Sequence, residues 1–388
     1  MNDQARFADR TLRLGMVGGG RGAFIGAIHR TAARLDGHFV LTAGALSSNP
    51  DNATLSGADL GLDPRRTYTS FETMAQVEAK REDGIDAVII VTPNHMHFPV
   101  AKAFLEAGIH VICDKPMTSN MQDARALVEL VERSGKLFVL THNYSGYQMI
   151  RQAREMVTRG DLGVLRLVQV EYAQQWLTHR IEGTDHKQAN WRTDPARSGQ
   201  GGCIGDIGTH AFQLANFVTG ETPSKVSAEL TSFVVGRRLD DNVHVMMRYK
   251  SGARGMLWAS QVAPGNENGL RLRLYGSRAG MEWNQEVPDI LWLTVFGEPT
   301  QKLTRGGSAS TSASQRLLRA PAGHPEGYIE GFSNIYAEAA IAIRAANNGA
   351  ICPADVVFPG IRDGFDGMAF IDACVKSSTE DGMWMKLP

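Results

Sequence analysis

The sequence has few cysteines and no long apolar segment, and both shortages narrow the possible functions. Its 388 residues include four cysteines, at positions 113, 203, 352 and 374, with no CxxC spacing. This pattern argues against a structural zinc site and a disulfide framework, and it suits a reducing compartment. No apolar stretch reaches the roughly 20 residues that span a bilayer, and the first residues lack a signal-peptide pattern. We therefore expect a cytoplasmic protein with no membrane partner.

The sequence also lacks an excess of charge of either sign. Lys and Arg total 40, Asp and Glu total 41, and the formal net charge is −1. A nucleic-acid-binding surface needs a basic patch, so this balance predicts no nucleic-acid partner. With 43% hydrophobic and 21% charged residues, the composition is that of a globular protein, and the length suits two domains. The expected partner is a small molecule.

The first third of the chain alternates short apolar runs with helical patterns. Strands are predicted at 12–17, 38–46, 87–91, 110–113 and 137–140, with helices between them. Such alternation predicts an α/β fold with a parallel, doubly wound sheet. We expect a Rossmann domain over residues 1–142.

Residues 143–388 form a second predicted α/β domain, for substrate binding and oligomerisation. Alternating segments at 164–173, 225–235, 242–249 and 255–261 predict strands of a large open, mainly antiparallel sheet. The small, polar segment 306–314 is predicted to be a flexible loop. Helical patterns at 329–346 and 365–377 complete the chain, and we expect the last helix to pack back towards the Rossmann domain.

A glycine turn follows the first predicted strand. Gly18, Gly20 and Ala23 fit the dinucleotide fingerprint G-x-G-x-x-G/A, and Arg21 lies inside it. The N–H groups of such a turn can approach a pyrophosphate, and the dipole of the following helix favours its charge. A plain tight turn is the alternative, but the strand and helix around the glycines favour a cofactor site.

The end of the second predicted strand bears on the choice of cofactor. NAD-selective sites usually place Asp or Glu there to bind the adenosine ribose. This sequence has Ser47 and Ser48 instead, and no arginine is adjacent to them, since Arg65 and Arg66 come later. We predict that both serines lie at the cofactor. The choice between NAD and NADP stays open, with a modest lean to NAD.

Three ordered motifs carry a family resemblance. They are Thr92-Pro93-Asn94-His95-x-His97, Cys113-Asp114-Lys115-Pro116 and Gly201-Gly202-x-x-Gly205-Asp206-x-Gly208-x-His210. Together they resemble the family of glucose-fructose oxidoreductase and inositol dehydrogenase over nearly the whole chain. The resemblance implies that NAD or NADP binds in the first domain and that a sugar or polyol lies between the nicotinamide and the helix of Asp206 and His210. It also implies a homodimer or homotetramer.

Two departures from the family pattern concern the site. Asp114 stands where the family usually has Glu, one methylene longer, which affects how Lys115 is positioned. His210 is followed by Ala-Phe-Gln, where many members carry an aspartate soon after the histidine. The substrate pocket is therefore expected to differ from that of inositol dehydrogenase itself.

Lys115, Asp206 and His210 are the predicted catalytic residues. Lys115 lies just beyond the carboxyl end of a parallel strand, where open α/β sheets place their ligand crevice. Asp206 and His210 are four residues apart, so a helix would put both on one face. We predict that Lys115 and His210 hold the substrate hydroxyl, that its proton passes to His210, and that Asp206 orients the imidazole or joins Lys115 in a network.

Each of these residues also has a plainer interpretation. Lys115 could be a surface lysine before a turn, and Asp206 could cap a helix that carries an unrelated buried histidine. A zinc site at Asp206 and His210 lacks further ligands at metal-like spacing, so no metal is predicted.

The remaining candidates follow from their places in the motifs. Contacts with the cofactor are predicted for Asn94, His97, Asp114 and Lys115. His95 and His97 are not interpreted as a metal pair. Hydrogen bonds to substrate hydroxyls are predicted for four further residues, with packing or surface roles as the alternative: Asn143, Tyr147, His186 and Arg192.

The predicted function is that of an NAD(P)-dependent dehydrogenase. It would oxidise a secondary hydroxyl of a sugar, anhydrosugar or cyclic polyol such as an inositol. Two alternatives stay open: a sugar-sensing regulator that binds a dinucleotide without turnover, and a keto-sugar reductase working in the opposite direction.

Overall fold

The computed structural model describes residues 10–388, which form two compact units. The first unit contains residues 10–118, Gln122–Asn143 and Tyr328–Phe365, and the second contains Ser119–Met121, Tyr144–Gly327 and Asp366–Pro388. The sequence-based division fell between residues 142 and 143 and placed everything after it in the second domain. In the structure, Tyr328–Phe365 belongs to the first unit.

The first unit is an alternation of strands and helices, as the sequence predicts. Its elements are β1 (Leu12–Gly18), α1 (Ile25–Leu35), β2 (Phe39–Ala45), α2 (Pro50–Asp59), α3 (Phe71–Glu78), β3 (Ala87–Val91), α4 (His97–Glu106), β4 (His110–Cys113), α5 (Met121–Ser134) and β5 (Phe138–Leu140).

The five strands form one parallel sheet in the order β2-β1-β3-β4-β5. The buried run Ala87–Val91 has no exposed residue, as expected for a central strand covered on both faces. From β1 the chain moves first to β2 and then back past β1 to β3. This reversal opens a crevice outside the carboxyl ends of β1 and β3, where ligands of open α/β sheets bind.

A helix from far along the chain completes this unit. It is α11 (Tyr328–Asn347), and it packs on α1. Ala339 and Ala340 are fully buried in the core it shares with β1 and β3. The Nδ1 of His29 on α1 lies 2.7 Å from the Tyr336 hydroxyl, inside this interface. The sequence predicts this helix but not the unit in which it packs, because its own residues carry no signal for which sheet the helix covers.

The second unit is built on a nine-stranded sheet. Its elements are α6 (Gln148–Thr158), β6 (Leu165–Ala173), α7 (Lys187–Arg192), α8 (Pro195–Ser198), α9 (Thr209–Thr219), β7 (Lys225–Thr231), β8 (Asn242–Arg248), β9 (Arg254–Ser260), β10 (Gly269–Gly276), β11 (Ala279–Asn284), β12 (Ile290–Val295), β13 (Gln301–Thr304), α10 (Ser312–Gln315) and β14 (Met385–Lys386). In the chain, α10 comes before α11 of the first unit.

The strand order is β13-β12-β11-β10-β6-β9-β8-β7-β14, and only the β6–β9 pair is parallel among these strands. The mainly antiparallel sheet that the sequence predicts is therefore confirmed. In β8 the side chains of Val243, Val245 and Met247 are buried and those between them are exposed, which is the alternation of a sheet with one covered face.

Helices cover that face. The last helix, α12 (Ile361–Thr379), begins in the first unit and continues from Asp366 in the second. There its Phe370 stacks on Phe212 of α9, with ring centroids 4.0 Å apart. No helix within residues 10–388 is long and apolar enough to cross a membrane.

The segment 306–314, which was predicted to be a flexible loop, is a turn whose last three residues begin α10. The carboxylate of Glu155 on α6 accepts the N–H of Ala313 at 3.0 Å, at the start of α10. Gln152 donates to the Ala309 carbonyl at 3.1 Å. Composition predicts the turn, but it does not record these contacts with α6, which lies 157 and 158 residues earlier in the chain.

Candidate active site

The glycine turn after β1 has the backbone geometry of a phosphate-binding turn. Gly18 and Gly19 have φ angles of 81° and 73°, a region that favours glycine. The Gly20 N–H donates to the Leu46 carbonyl at 3.1 Å. A Cβ at Gly20 would lie 2.6 Å from the Ser56 Oγ and 2.7 Å from the Leu46 oxygen. The turn therefore lies against the end of β2, and a larger residue at position 20 would push it away.

Gly26, in the first turn of α1, packs against this glycine turn and was missed in the sequence analysis. Ala23 occupies the third fingerprint position in sequence but lies before α1, which begins at Ile25. A Cβ at Gly26 would lie 2.5 Å from the Gly19 Cα, so Gly26 allows the helix to pack closely on the turn. A three-residue insertion hides this spacing. The first turn of α1 has no side-chain cap and no acidic residue, which leaves its N–H groups suited to an anion.

Ser47 and Ser48 lie two and three residues after the end of β2, at the strand end that contacts the adenosine ribose in Rossmann domains. The Ser47 Oγ accepts the Asn52 side-chain amide at 3.2 Å and the Asn49 N–H at 3.2 Å. No carboxylate stands at either serine position. The direct neighbourhood of the strand end is therefore polar and uncharged.

Arg21 extends from the glycine turn to α2. Its backbone N–H donates to the Ser56 Oγ at 3.0 Å, and its guanidinium pairs with both oxygens of Asp59 at 2.5 and 2.7 Å. This pair holds the pKa of Asp59 below its usual value. The sequence shows no arginine next to Ser47, but the fold brings Arg21 to the helix that follows it.

The Asp114 carboxylate shapes the segment that carries Lys115. Its Oδ1 accepts the Lys115 N–H at 2.9 Å and the Thr141 hydroxyl at 3.3 Å, which ties the ends of β4 and β5 together. Lys115 itself is half-buried. The adjacent His142 is fully buried, and this burial, together with the charge of Lys115, lowers its pKa to about 3. His142 is therefore neutral near pH 7.

His97, a predicted cofactor contact, lies between two backbone segments. It is 1% exposed, and its Nδ1 and Nε2 lie 2.6 and 2.9 Å from the carbonyl oxygens of Pro116 and Thr92. Burial is the main cause that lowers its pKa, so the neutral ring donates through one nitrogen at a time. Both nitrogens face backbone carbonyls, and we assign His97 to positioning the Lys115–Pro116 segment.

Several polar atoms at this edge of the sheet are buried without a partner. They are Thr92 Oγ1, His95 Nδ1 and Asn143 Nδ2. Asn143 follows β5 and is 2% exposed, and Asn94, 6% exposed, follows β3. Unpaired buried donors and acceptors are costly, so they indicate a group that supplies the missing bonds. Together with the cradle at Gly20, they fit a dinucleotide across the ends of β1, β3 and β5.

In the second unit, Asp206 lies in a π-helical turn, Ile204–Gly208, directly before α9. Such turns are frequent at functional sites. The Asp206 Oδ2 accepts the Gln261 amide at 2.8 Å and lies 3.3 Å from the Arg192 Nε. Asp206 is therefore held by the residue that follows β9 on one side and by α7 on the other.

His210 lies one turn further, in an aromatic surrounding. Its ring centroid is 5.0 Å from that of Tyr144 and 6.3 Å from that of Tyr172, both edge to face. His210 is 9% exposed. An imidazole in this position is shielded from bulk water and held in a defined orientation by the two rings.

Tyr144, Tyr172 and Asn268 form a hydrogen-bonded group that the sequence analysis missed. The two tyrosine hydroxyls are 2.5 Å apart, and the Tyr172 hydroxyl donates to Asn268 Oδ1 at 2.7 Å. Burial raises the pKa of Tyr144, so its hydroxyl keeps its proton at neutral pH. Alternation along β6 could have placed Tyr172 on the covered face with Val168 and Val170, but no local signal links it to His210.

Asp240 holds the segment that leads to Asp206. Its carboxylate accepts the N–H groups of Gly202 and Ile204 at 2.6 and 2.8 Å, and its carbonyl accepts that of Cys203 at 2.8 Å. A Cβ at Gly202 would lie 2.3 Å from the Asp240 carbonyl oxygen, which explains the glycine. Burial raises the pKa of Asp240 to about 6.

The other predicted substrate residues fall into two groups. Tyr147 stacks on Tyr144, and Arg192 pairs with Asp206 and lies over the Trp191 ring at 4.3 Å, so both join the Asp206–His210 group. His186 does not. Its exposed ring accepts the Ala189 N–H at 3.2 Å, where it caps α7, and it lies against Trp176. Within residues 10–388, no three His, Cys, Asp or Glu side chains cluster as metal ligands.

Two family models match this chain. Residues 12–144 match the model of an oxidoreductase family with an NAD-binding Rossmann fold, and residues 150–282 match the GFO/IDH/MocA C-terminal domain. The uncharacterised Bacillus subtilis oxidoreductase YfiI is 37% identical, with 98% of each chain covered.

Two solved structures extend the comparison. An oxidoreductase from Sinorhizobium meliloti is 54% identical, with a TM-score of 0.89 and 97% of this chain and 100% of that chain covered. An inositol dehydrogenase homologue from Azotobacter vinelandii, complexed with NADH and myo-inositol, is 36% identical, with a TM-score of 0.92 and 100% of both chains covered.

Proposed function

The chain belongs to the GFO/IDH/MocA oxidoreductase family, and on that premise we propose that it oxidises a secondary hydroxyl of a sugar, anhydrosugar or cyclic polyol. Its first unit is an NAD-binding Rossmann domain. The observation that carries the proposal is the Asp206–His210 group, where an imidazole between two tyrosine rings has a carboxylate one turn before it. The NADH and myo-inositol in the Azotobacter relative favour a cyclic polyol.

The proposal assigns the proton of the reacting hydroxyl to His210. The Tyr144 and Tyr172 rings fix the plane of the imidazole, and Asp206, anchored by Gln261 and Arg192, supplies negative charge near it. A neutral imidazole can take up the proton as the carbon–hydrogen bond breaks. General base assistance of this kind contributes about 10²- to 10⁴-fold to the rate.

Lys115 is assigned to the same hydroxyl from the first unit. Its backbone is fixed by Asp114, and the neutral His142 beside it adds no competing charge near pH 7. The ammonium group stabilises the negative charge that develops on the substrate oxygen. When bound, NAD or NADP would supply the hydride acceptor, a chemistry that the protein's own residues lack.

A substrate screen tests the proposal. The purified protein is incubated with inositols, anhydrosugars and common sugars, each with NAD and with NADP, and the reduced cofactor is measured by absorbance. We expect turnover with at least one polyol. Tight cofactor binding without turnover on any of them, in either direction, would instead favour a dinucleotide-binding regulator.

A further inference from the structure

Arg21 is placed where a cofactor's adenosine end would be read. It follows Gly20, whose N–H donates to the Leu46 carbonyl at the end of β2. In Rossmann domains that strand end contacts the adenosine ribose, and a nearby arginine accommodates the 2′-phosphate of NADP. Arg21 comes from the glycine turn and not from the strand end, so the usual sequence pattern does not reveal it.

One face of α2 connects these parts. Asn52, Ser56 and Asp59 are four and three residues apart, a spacing that aligns side chains along a helix. Asn52 binds the Ser47 hydroxyl, Ser56 binds the Arg21 backbone, and Asp59 binds the Arg21 guanidinium. The Arg21–Asp59 pair therefore lies on the same helix face as the contact to Ser47.

We infer that Arg21 binds the 2′-phosphate of NADP and that Asp59 competes with this phosphate for the guanidinium. Guanidinium groups bind carboxylates and phosphates with the same bidentate geometry. Asp59 occupies the Nε–Nη2 edge of Arg21, so a phosphate that binds this edge must displace the carboxylate. The side chains of Arg21 and Asp59 are 48% and 47% exposed, and an ion pair so exposed is weak enough for a phosphate to displace. Ser47 adds no carboxylate that would repel the phosphate.

The consequence is that Arg21 and Asp59, which lie outside the end of β2, set the preference between NAD and NADP. NAD leaves the Arg21–Asp59 pair intact, whereas NADP must break it to gain its own contact. The enzyme thus accepts both, and Asp59 supplies the lean to NAD. This inference rests on the proposed function only in that a dinucleotide binds at the glycine turn, and it does not depend on the polyol.

Binding measurements on the whole protein test this without any substrate. NADH and NADPH are titrated by fluorescence, and AMP and its 2′-phosphorylated form by calorimetry. For Arg21→Ala we expect the affinity for the phosphorylated partner, relative to the other, to fall by about tenfold. For Asp59→Asn we expect the same ratio to rise about two- to fivefold, the range of an exposed ion pair.

The double variant separates competition from plain charge. If Asp59 acts by occupying Arg21, then Asp59→Asn has no effect on the ratio in the Arg21→Ala background. If its effect persists there, Asp59 acts through its field alone and the competition is overturned. An unchanged ratio in Arg21→Ala, or in Arg21→Gln should alanine disturb the turn, overturns the role of Arg21.

A matched control is available in the same unit. Asp83 forms a similar exposed ion pair with Arg81, at 2.8 Å. This pair precedes β3 and so lies at the amino ends of the parallel strands, away from the carboxyl ends where the glycine turn lies. Asp83→Asn removes the same charge and should leave both affinities unchanged. A shift in that variant equal to the one in Asp59→Asn would also overturn the inference, whatever the outcome of the polyol screen.

Discussion

The candidate sites of the two units are built in different ways. In the first unit, the candidate residues lie at strand ends and within short motifs, as at Gly18, Gly20 and the Asp114–Lys115 turn. In the second unit, side chains from distant segments form it, since His210 depends on Tyr144 and on Tyr172. A parallel sheet aligns its motifs at one edge, whereas a large antiparallel sheet brings together residues that no motif connects. Substitutions in the two units should therefore have different effects on turnover, pH dependence and stability.

The largest effect is expected in the first unit at Lys115. Lys115→Ala should lower kcat by at least about 10²-fold and leave dinucleotide affinity nearly unchanged, because the lysine acts on the reacting hydroxyl. Steady-state kinetics and cofactor titration measure the two quantities separately. Lys102→Ala, an exposed lysine on α4, is the matched control. Near-normal turnover of Lys115→Ala would remove Lys115 from the mechanism.

The corresponding prediction for the second unit concerns the proton transfer assigned to His210. His210→Ala should abolish the acidic limb of the pH–rate profile for alcohol oxidation, since a protonated imidazole cannot accept a proton. The remaining rate should be lower and depend little on pH over the range in which histidine titrates. His186→Ala, which removes a helix-capping histidine of the same unit, should keep the limb. A limb that survives in His210→Ala would point to another base.

Asp240 links the second unit's packing to pH. Its folded pKa of about 6 lies above the value near 4 of an unfolded aspartate, so the folded protein retains the proton to higher pH. The resulting stabilisation is full below about pH 4 and is lost as the pH rises through about 6. Relative to Asp240→Asn, the wild type should therefore lose about 2 to 3 kcal/mol of unfolding free energy across that interval. Urea unfolding of both proteins measures this, and parallel pH dependences would contradict it.

The smallest effect concerns the end of β2. Ser47→Asp should shift kcat/KM in favour of NAD over NADP by about tenfold, because a carboxylate there repels a 2′-phosphate and can bind the ribose diol. Ser47→Asn has the same size without the charge and should shift it little. The wild type is expected to use both cofactors with a modest lean to NAD. If it already rejects NADP by more than about 10³-fold, a discrimination of about 4 kcal/mol, another group reads the ribose.

The same contrast explains what the sequence predicted. The order and type of the Rossmann elements follow from the periodicity of apolar residues. Lys115, Asp206 and His210 could be predicted because each lies in a short contiguous motif. The strands β10 to β13 were missed, although the alternation of Leu270, Leu272 and Leu274 with arginines marks β10. The Arg21–Asp59 pair and the tyrosines around His210 could not be predicted, because residues 38 to 66 positions apart meet only once the fold exists.

The central claim is that a carbinol hydrogen of a polyol is transferred as hydride to the nicotinamide. The most direct measurement uses an accepted polyol deuterated at its ring carbons and mass spectrometry of the cofactor recovered after turnover. The account predicts one deuterium in the reduced nicotinamide for each polyol oxidised. Reduced cofactor without deuterium, or oxidised polyol without reduced cofactor, would contradict it.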